Sequence, residues 1–80
     1  MPMPFTLRQL EYFVAVAEAG SLTAAARARH VSQPSVSVAI TDLEAVLGQS
    51  LFQRQAGQSL SITPAGRRLL IQARTVLATA

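Results

Sequence analysis

Short polar residues surround a proline in the segment "SQPSVSVAIT", from Ser32 to Thr41. A glutamine amide can pair with the N6 and N7 atoms of adenine, and serine or threonine hydroxyls can bond base edges or phosphates. Because these side chains are short, a helix that bears them can sit deep in a groove and reach base edges with its first turns. The segment therefore supplies these candidate nucleic-acid contacts: Ser32, Gln33, Pro34, Ser35, Ser37, Val38 and Thr41.

The same residues also have purely structural interpretations. Gln33 could simply be solvated, and the hydroxyls of Ser37 and Thr41 could bond a carbonyl in the preceding helical turn. An exposed valine is common on protein surfaces. In a groove, however, Val38 could contact the methyl group of a thymine.

The composition argues against several other kinds of site. The chain has no cysteine, which excludes disulfides, thiolate metal sites and thiol catalysis. It has one histidine, His30, which we interpret as a turn residue, and four acids without a catalytic constellation. We therefore expect no catalytic residue, no metal site and no cofactor. All seven basic residues are arginines and the net charge is +3, which permits an anionic partner.

Eighty residues suffice for one domain with a small core. No apolar run approaches the roughly 20 residues of a membrane span, so we expect no membrane association. The amino end, "MPMPFTLRQ", lacks a basic-then-apolar secretory pattern. The expected location is the cytoplasm.

Periodicity and capping residues predict helices on both sides of the polar segment. The first runs from Leu7 to Ala19, between the N-cap Thr6 and Gly20. A short alanine-rich helix follows Ser21 and ends near Arg29. The third spans residues 32–47, and its apolar face is formed by Val36, Ile40, Leu43 and Leu47. Two short helices joined by a few residues are typical of a helix-turn-helix unit.

Beyond Gly48 the pattern predicts a two-stranded hairpin over residues 51–62, with its turn at Gln55 to Gln58. A last helix begins at Thr63 and Pro64. Its apolar seam could be a core stripe, but its length favours a partner helix. The predicted dimerisation residues are Leu69, Leu70, Ala73, Val76 and Leu77, with Ala80 continuing the seam. Because the chain stops within this pattern, we expect it to be the front end of a longer protein.

Four motifs in order resemble a known family: "LRQLEYFVAVAEAGSLTAAA", "VSQPSVS", "I..LEAVLG..LF.R" and "ITPAG". They are similar to the amino-terminal DNA-binding domain of LysR-type transcriptional regulators. The resemblance implies a mainly α fold, a winged helix-turn-helix of three helices and a β-hairpin wing, followed by a long linker helix. Residues 1–63 would form the DNA-binding domain and residues 64–80 the start of the linker and dimerisation helix, with the effector domain absent.

The resemblance also implies roles. Helix 32–47 would read the major groove of double-stranded DNA and wing 51–62 would lie near the minor groove. A homodimer, and a tetramer in the full-length protein, would bind an imperfect palindrome. Thr23 matches a phosphate-contacting position, and Arg54 matches the arginine of "LFxR". Arg54 could equally pair with Glu44, which together with Asp42 otherwise fits a solvated face.

Three departures bear on DNA contacts. Val38 stands where many relatives have arginine, the wing tip "QAGQ" carries amides, and Arg29 replaces a common leucine. Arg27 and Arg29 could meet the DNA backbone, or one of them could be solvated. The leading interpretation is sequence-specific DNA binding. The alternative is a winged helix used for protein assembly, which would more often present large apolar residues on its exposed helix.

Overall fold

Hydroxyl side chains begin the helices of this protein. In the computed structural model, which describes residues 5–55, 57 and 59–79, Thr6 caps α1 (Leu7–Ala19), Ser21 caps α2 (Leu22–Arg29) and Ser32 caps α3 (Gln33–Leu47). Each hydroxyl accepts a hydrogen bond from a backbone N–H that no helical carbonyl can reach. At α4 (Pro64–Thr79), the Thr63 hydroxyl accepts from the Gly66 N–H at 3.0 Å. The predicted helices are confirmed.

The ends of the first three helices are also those that the sequence predicts. Gly20, His30 and Gly48 follow α1, α2 and α3 in the left-handed conformation. His30 adopts φ 57°, and its N–H donates to carbonyls of the last turn of α2. Its interpretation as a turn residue is confirmed.

The core lies where α1, α2 and α3 meet. Phe13, Val16, Ala25, Val36 and Leu43 are fully buried there. The small alanines of α2 let its neighbours approach closely, as in other tightly packed short helices. The apolar face predicted for α3 does face the core. Three of its residues are buried, Val36, Ile40 and Leu43, and Leu47 is half-buried.

A short antiparallel hairpin covers one end of this core. It consists of β1 (Phe52–Arg54) and β2 (Leu60–Ile62), with Gln53 opposite Ser61. The Phe52 ring packs on Phe13, with ring centroids 5.4 Å apart. The Leu60 N–H donates to the Gly20 carbonyl at 2.9 Å, which ties the hairpin to the turn after α1.

The hairpin agrees with the prediction over 51–62, although its strands are shorter. Leu51 precedes β1 and is buried in the core. Of the predicted turn, Gln55 and Gly57 are described, and Gly57 has φ 77°. Ala56 and Gln58 lie outside the described residues.

Helix α4 packs directly on α1 and on the base of the hairpin. Gly66 is buried against the Leu51 carbonyl oxygen and the Ile62 side chain, so a β-carbon at this position would collide with both. About two turns later, Ala73 is 1% exposed in the core. Helix α4 therefore shares its core with the residues before 63, and the division into two domains at that point stays a prediction.

No helix in the described part of the chain is both long and apolar enough to cross a membrane.

Candidate nucleic-acid interface

One side of α3 faces away from the core along its amino-terminal half. Gln33, Pro34, Val38 and Thr41 are exposed on this side, and Val38 is 58% exposed. The opposite side carries the buried apolar residues of the core. The exposed residues follow from the helical period, since positions three or four apart share a face.

The hydroxyls of Ser32 and Ser35 form a pair at the start of α3. Ser32 Oγ accepts from the Ser35 N–H at 3.2 Å, and the two hydroxyl oxygens are 2.7 Å apart. Both residues are exposed. Each hydroxyl retains hydrogen-bonding capacity toward solvent, because a hydroxyl offers one donor and two acceptor sites.

Other predicted contact residues have their polar groups available. Among the described residues, Gln33, Ser37 and Thr41 make no side-chain hydrogen bond, and the bonds to the preceding turn that could have occupied the two hydroxyls are not formed. Thr23, in the first turn of α2, is exposed and likewise has no side-chain partner in the described ranges. A ligand at this surface would meet donors and acceptors that no other described residue occupies.

A cleft of about 120 Å³ separates α3 from the hairpin. Ser37, half-buried, lines the α3 side together with Thr41, and Arg54 lines the hairpin side. Arg54 is the last residue of β1 and is exposed. The structure thus brings Arg54 beside two of the predicted α3 contacts.

The carboxylate of Glu44 has a structural role that sequence analysis missed. Its Oε2 accepts from the Leu51 N–H at 2.7 Å, and this N–H is partly buried. The interpretation of Glu44 as part of a solvated face was therefore wrong, because residues 48–50 fold back and bring the Leu51 backbone to it. The possible Arg54–Glu44 pair is also not formed, as no Arg54 ion pair occurs within the described residues.

Two arginines are engaged in ion pairs with α1. Arg29 contacts Glu11 at 2.7 Å and Arg74 contacts Glu18 at 3.3 Å. Nothing in the sequence signals that Arg29 pairs with Glu11, which lies on a different helix, eight residues before its end. The exposed arginines that form no ion pair in the described part of the chain are Arg8, Arg27, Arg54, Arg67 and Arg68.

The predicted dimerisation seam of α4 is largely turned toward its own chain. Ala73 has no free surface for a partner, and Leu69, Leu70 and Leu77 are half-buried against the core. Val76 is 39% exposed at the edge of the seam, and Ile71, on the opposite side of α4, is 70% exposed. The core-stripe interpretation thus describes the centre of the seam, while dimerisation stays a prediction for its edges.

Comparison with known proteins points to one family. The model of the family described as "Bacterial regulatory helix-turn-helix protein, lysR family" matches residues 7–67. The HTH-type transcriptional regulator CfxR of Cupriavidus necator is 47% identical over 72 residues, which are 90% of this chain and 22% of CfxR. TfdS of Cupriavidus pinatubonensis is 51% identical over 70 residues, 88% of this chain and 23% of that regulator.

Solved structures similar to this chain belong to the same family. A crystal structure of a complex between the CbnR DNA-binding domain and DNA superposes with a TM-score of 0.89 at 44% identity, covering 94% of this chain and 85% of that one. The complex of the BenM DNA-binding domain with benA site 1 DNA superposes with a TM-score of 0.87 at 37% identity, covering 94% and 86%. The chain spans less than a quarter of the length of the two regulators above.

Proposed function

The chain belongs to the lysR family of bacterial regulatory helix-turn-helix proteins, and on this basis we propose that it binds double-stranded DNA sequence-specifically as part of a transcriptional regulator. Helix α3 reads the major groove and the hairpin lies near the minor groove. The observation that carries this proposal is the exposed side of the amino-terminal half of α3, where the polar side chains have no hydrogen-bond partner among the described residues. The two DNA complexes described above support it.

The exposed polar groups divide into two kinds of contact. Gln33 and Thr41 face outward from α3 and would reach base edges, together with Pro34, Ser37 and Val38. Thr23, Ser32 and Ser35 lie at the starts of α2 and α3, where a helix N-terminus favours a phosphate oxygen. Arg54, beside the cleft, would meet the DNA backbone or the minor groove.

We further propose that the protein acts as a homodimer through α4 and as a tetramer in its full-length form. A two-fold axis would place two copies of α3 about one turn of DNA, roughly 34 Å, apart or at a multiple of this spacing. An imperfect palindrome would match this symmetry. The proposal includes a cytoplasmic location, because the DNA of a bacterium lies in the cytoplasm.

We propose a binding role rather than catalysis. The relatives are transcriptional regulators. The described residues contain no group of three His, Asp or Glu side chains that could hold a metal ion. No cofactor is needed for the proposed contacts. Docking of α3 on another protein is the competing function, and its binding would lack the salt dependence expected for phosphate contacts.

The test is selection of bound sequences from a random duplex pool, followed by salt titration on the enriched duplex. We expect an enriched palindromic motif and an affinity that falls steeply with salt concentration, because counterions are released from the phosphates. A plot of the logarithm of the binding constant against the logarithm of the salt concentration has a negative slope. Arg54→Gln should make this slope less steep by about 0.9 if Arg54 contacts one phosphate. Arg74→Gln, which removes the same charge from an ion pair with Glu18, is the matched control and should leave the slope nearly unchanged.

Absence of enrichment, together with no salt-dependent duplex binding, would contradict the proposed function. If the two arginine variants have equal slopes, DNA binding still stands, but Arg54 does not contact a phosphate.

A further inference from the structure

The outermost line of α3 is formed by Pro34, Val38, Thr41 and Ala45, which we term the apolar apex. Each residue of a helix turns by about 100°, so these four positions lie within about 60° of one another. They lie opposite the buried positions Val36, Ile40 and Leu43. All four apex residues are exposed.

The apex presents hydrocarbon and no charge. Pro34 offers ring methylenes, Val38 two methyl groups, and Thr41 and Ala45 one methyl each. Apart from the Thr41 hydroxyl, hydrogen-bonding groups lie beside this line rather than on it, at Ser37 on one side. The part of α3 that would penetrate deepest into a groove can therefore make close contacts that are mainly apolar.

We propose that the apolar apex, centred on Val38, recognises the C5-methyl group of pyrimidines in the major groove. The proposal rests on the proposed function. Thymine presents a C5-methyl beside its O4 acceptor, whereas cytosine presents an N4 donor and no methyl. A valine cannot bond either polar group, so it selects for the methyl alone. The apex accepts thymine and 5-methylcytosine in preference to uracil and unmodified cytosine.

The extent of the apex favours DNA over a protein as its occupant. A stable protein interface buries about 800 Å² on each partner and has large apolar or aromatic side chains at its centre. The apex offers one large apolar side chain, Val38, with three small ones around it. Single methyl groups spaced along a duplex edge match this arrangement better.

The experiment uses the duplex enriched from the random pool, prepared in four versions at each pyrimidine in turn. The pyrimidine is thymine or uracil opposite adenine, and 5-methylcytosine or cytosine opposite guanine. Comparison within each pair isolates the methyl group, because the purine and the exocyclic group do not change. At one or more pyrimidine positions, we expect the protein to bind the duplex with the methylated base about fourfold more tightly than its unmethylated counterpart. This should hold both for thymine against uracil and for 5-methylcytosine against cytosine, as burial of one methyl predicts.

Two variants attribute the effect to Val38. Val38→Ala removes both methyls at an exposed helical site and should reduce the two ratios to about one. Alanine has the higher helix propensity, so the variant is expected to fold. Val46→Ala is the matched control, since Val46 is 42% exposed on the same helix but lies about 80° from Val38, and it should retain both ratios.

Salt-dependent binding without any methyl effect would overturn the inference and leave the proposed function intact. A methyl effect that persists in Val38→Ala would also overturn it. Failure of every duplex to bind would contradict the proposed function itself.

Discussion

Gln33 is exposed, and its side chain can form more hydrogen bonds than any other in the first turn of α3. Its amide has donors and an acceptor, and no described side chain or backbone group occupies them. Pro34 follows it at a position where the missing N–H has no helical partner. The turn can therefore present Gln33 outward without loss of a backbone hydrogen bond.

Replacement of Gln33 by alanine should weaken binding to the preferred duplex by about 1–3 kcal/mol, the value of one bidentate base contact. Binding to unrelated duplexes should change little, so that specificity falls with affinity. Titrations of both duplexes at one salt concentration measure this. Gln49→Ala, an exposed glutamine beyond the other end of α3, is the control. Equal losses on both duplexes would indicate a phosphate contact instead of base recognition.

Arg27 and Arg29 lie two residues apart on α2 but differ in their contacts. The sequence left open whether Arg27 or Arg29 meets DNA. The structure pairs Arg29 with Glu11 and leaves Arg27 exposed without an ion pair among the described residues. Arg27 is therefore the better candidate for a backbone contact, since the charge of Arg29 is already partly neutralised.

At the level of elements, Glu44 connects α3 to the hairpin. Its carboxylate accepts the Leu51 N–H immediately before β1. The Thr63 hydroxyl donates to the Ser50 carbonyl at 2.7 Å, and the Thr63 N–H donates to the Leu51 carbonyl at 3.0 Å. These bonds set the position of the hairpin relative to α3.

Glu44→Ala should lower the free energy of unfolding by about 1–3 kcal/mol, because the partly buried Leu51 N–H loses its acceptor. Denaturant titration monitored by circular dichroism measures the change. Asp42→Ala removes the same charge from an exposed site on the same helix and should change stability by less than about 0.5 kcal/mol. If both variants unfold alike, the Glu44 contact does not stabilise the fold.

The elements themselves were predictable from local signals. Capping hydroxyls, Gly20, Gly48 and the proline of α3 mark boundaries through backbone chemistry that acts within a few residues. The hairpin was predictable in outline, whereas the short length of its strands was not. Strand length depends on where pairing with the other strand ends, which single-strand patterns do not contain.

At the scale of the whole molecule, α4 both completes the core and offers edges to a partner. Ala73 is covered by its own chain, and Arg74 is joined to Glu18 of α1. Val76 remains partly exposed beside the seam. A homodimer through α4 would use these edges, because the buried centre of the seam already packs against its own chain.

Val76→Asp should raise the dimer dissociation constant at least tenfold, roughly 1.4 kcal/mol, because a carboxylate would be placed in an apolar contact that occurs twice about a two-fold axis. Sedimentation velocity over a range of concentrations measures this. Ala78→Asp, an exposed site on another side of α4, is the control. Loss of association in Ile71→Asp but not in Val76→Asp would place the interface on the opposite side of α4 and contradict the prediction.

The order of the helices, the bounds of α1, α2 and α3, the small polar residues along α3 and the family could all be predicted from the sequence, because these follow from local backbone chemistry, helical period and motif spacing. The packing of the folded chain was needed to show that Glu44 accepts a hydrogen bond from the Leu51 N–H, that Arg29 pairs with Glu11, and that the centre of the α4 seam is covered by its own chain. Periodicity identifies an apolar or charged face, whereas the partner of that face depends on how elements distant in sequence pack together.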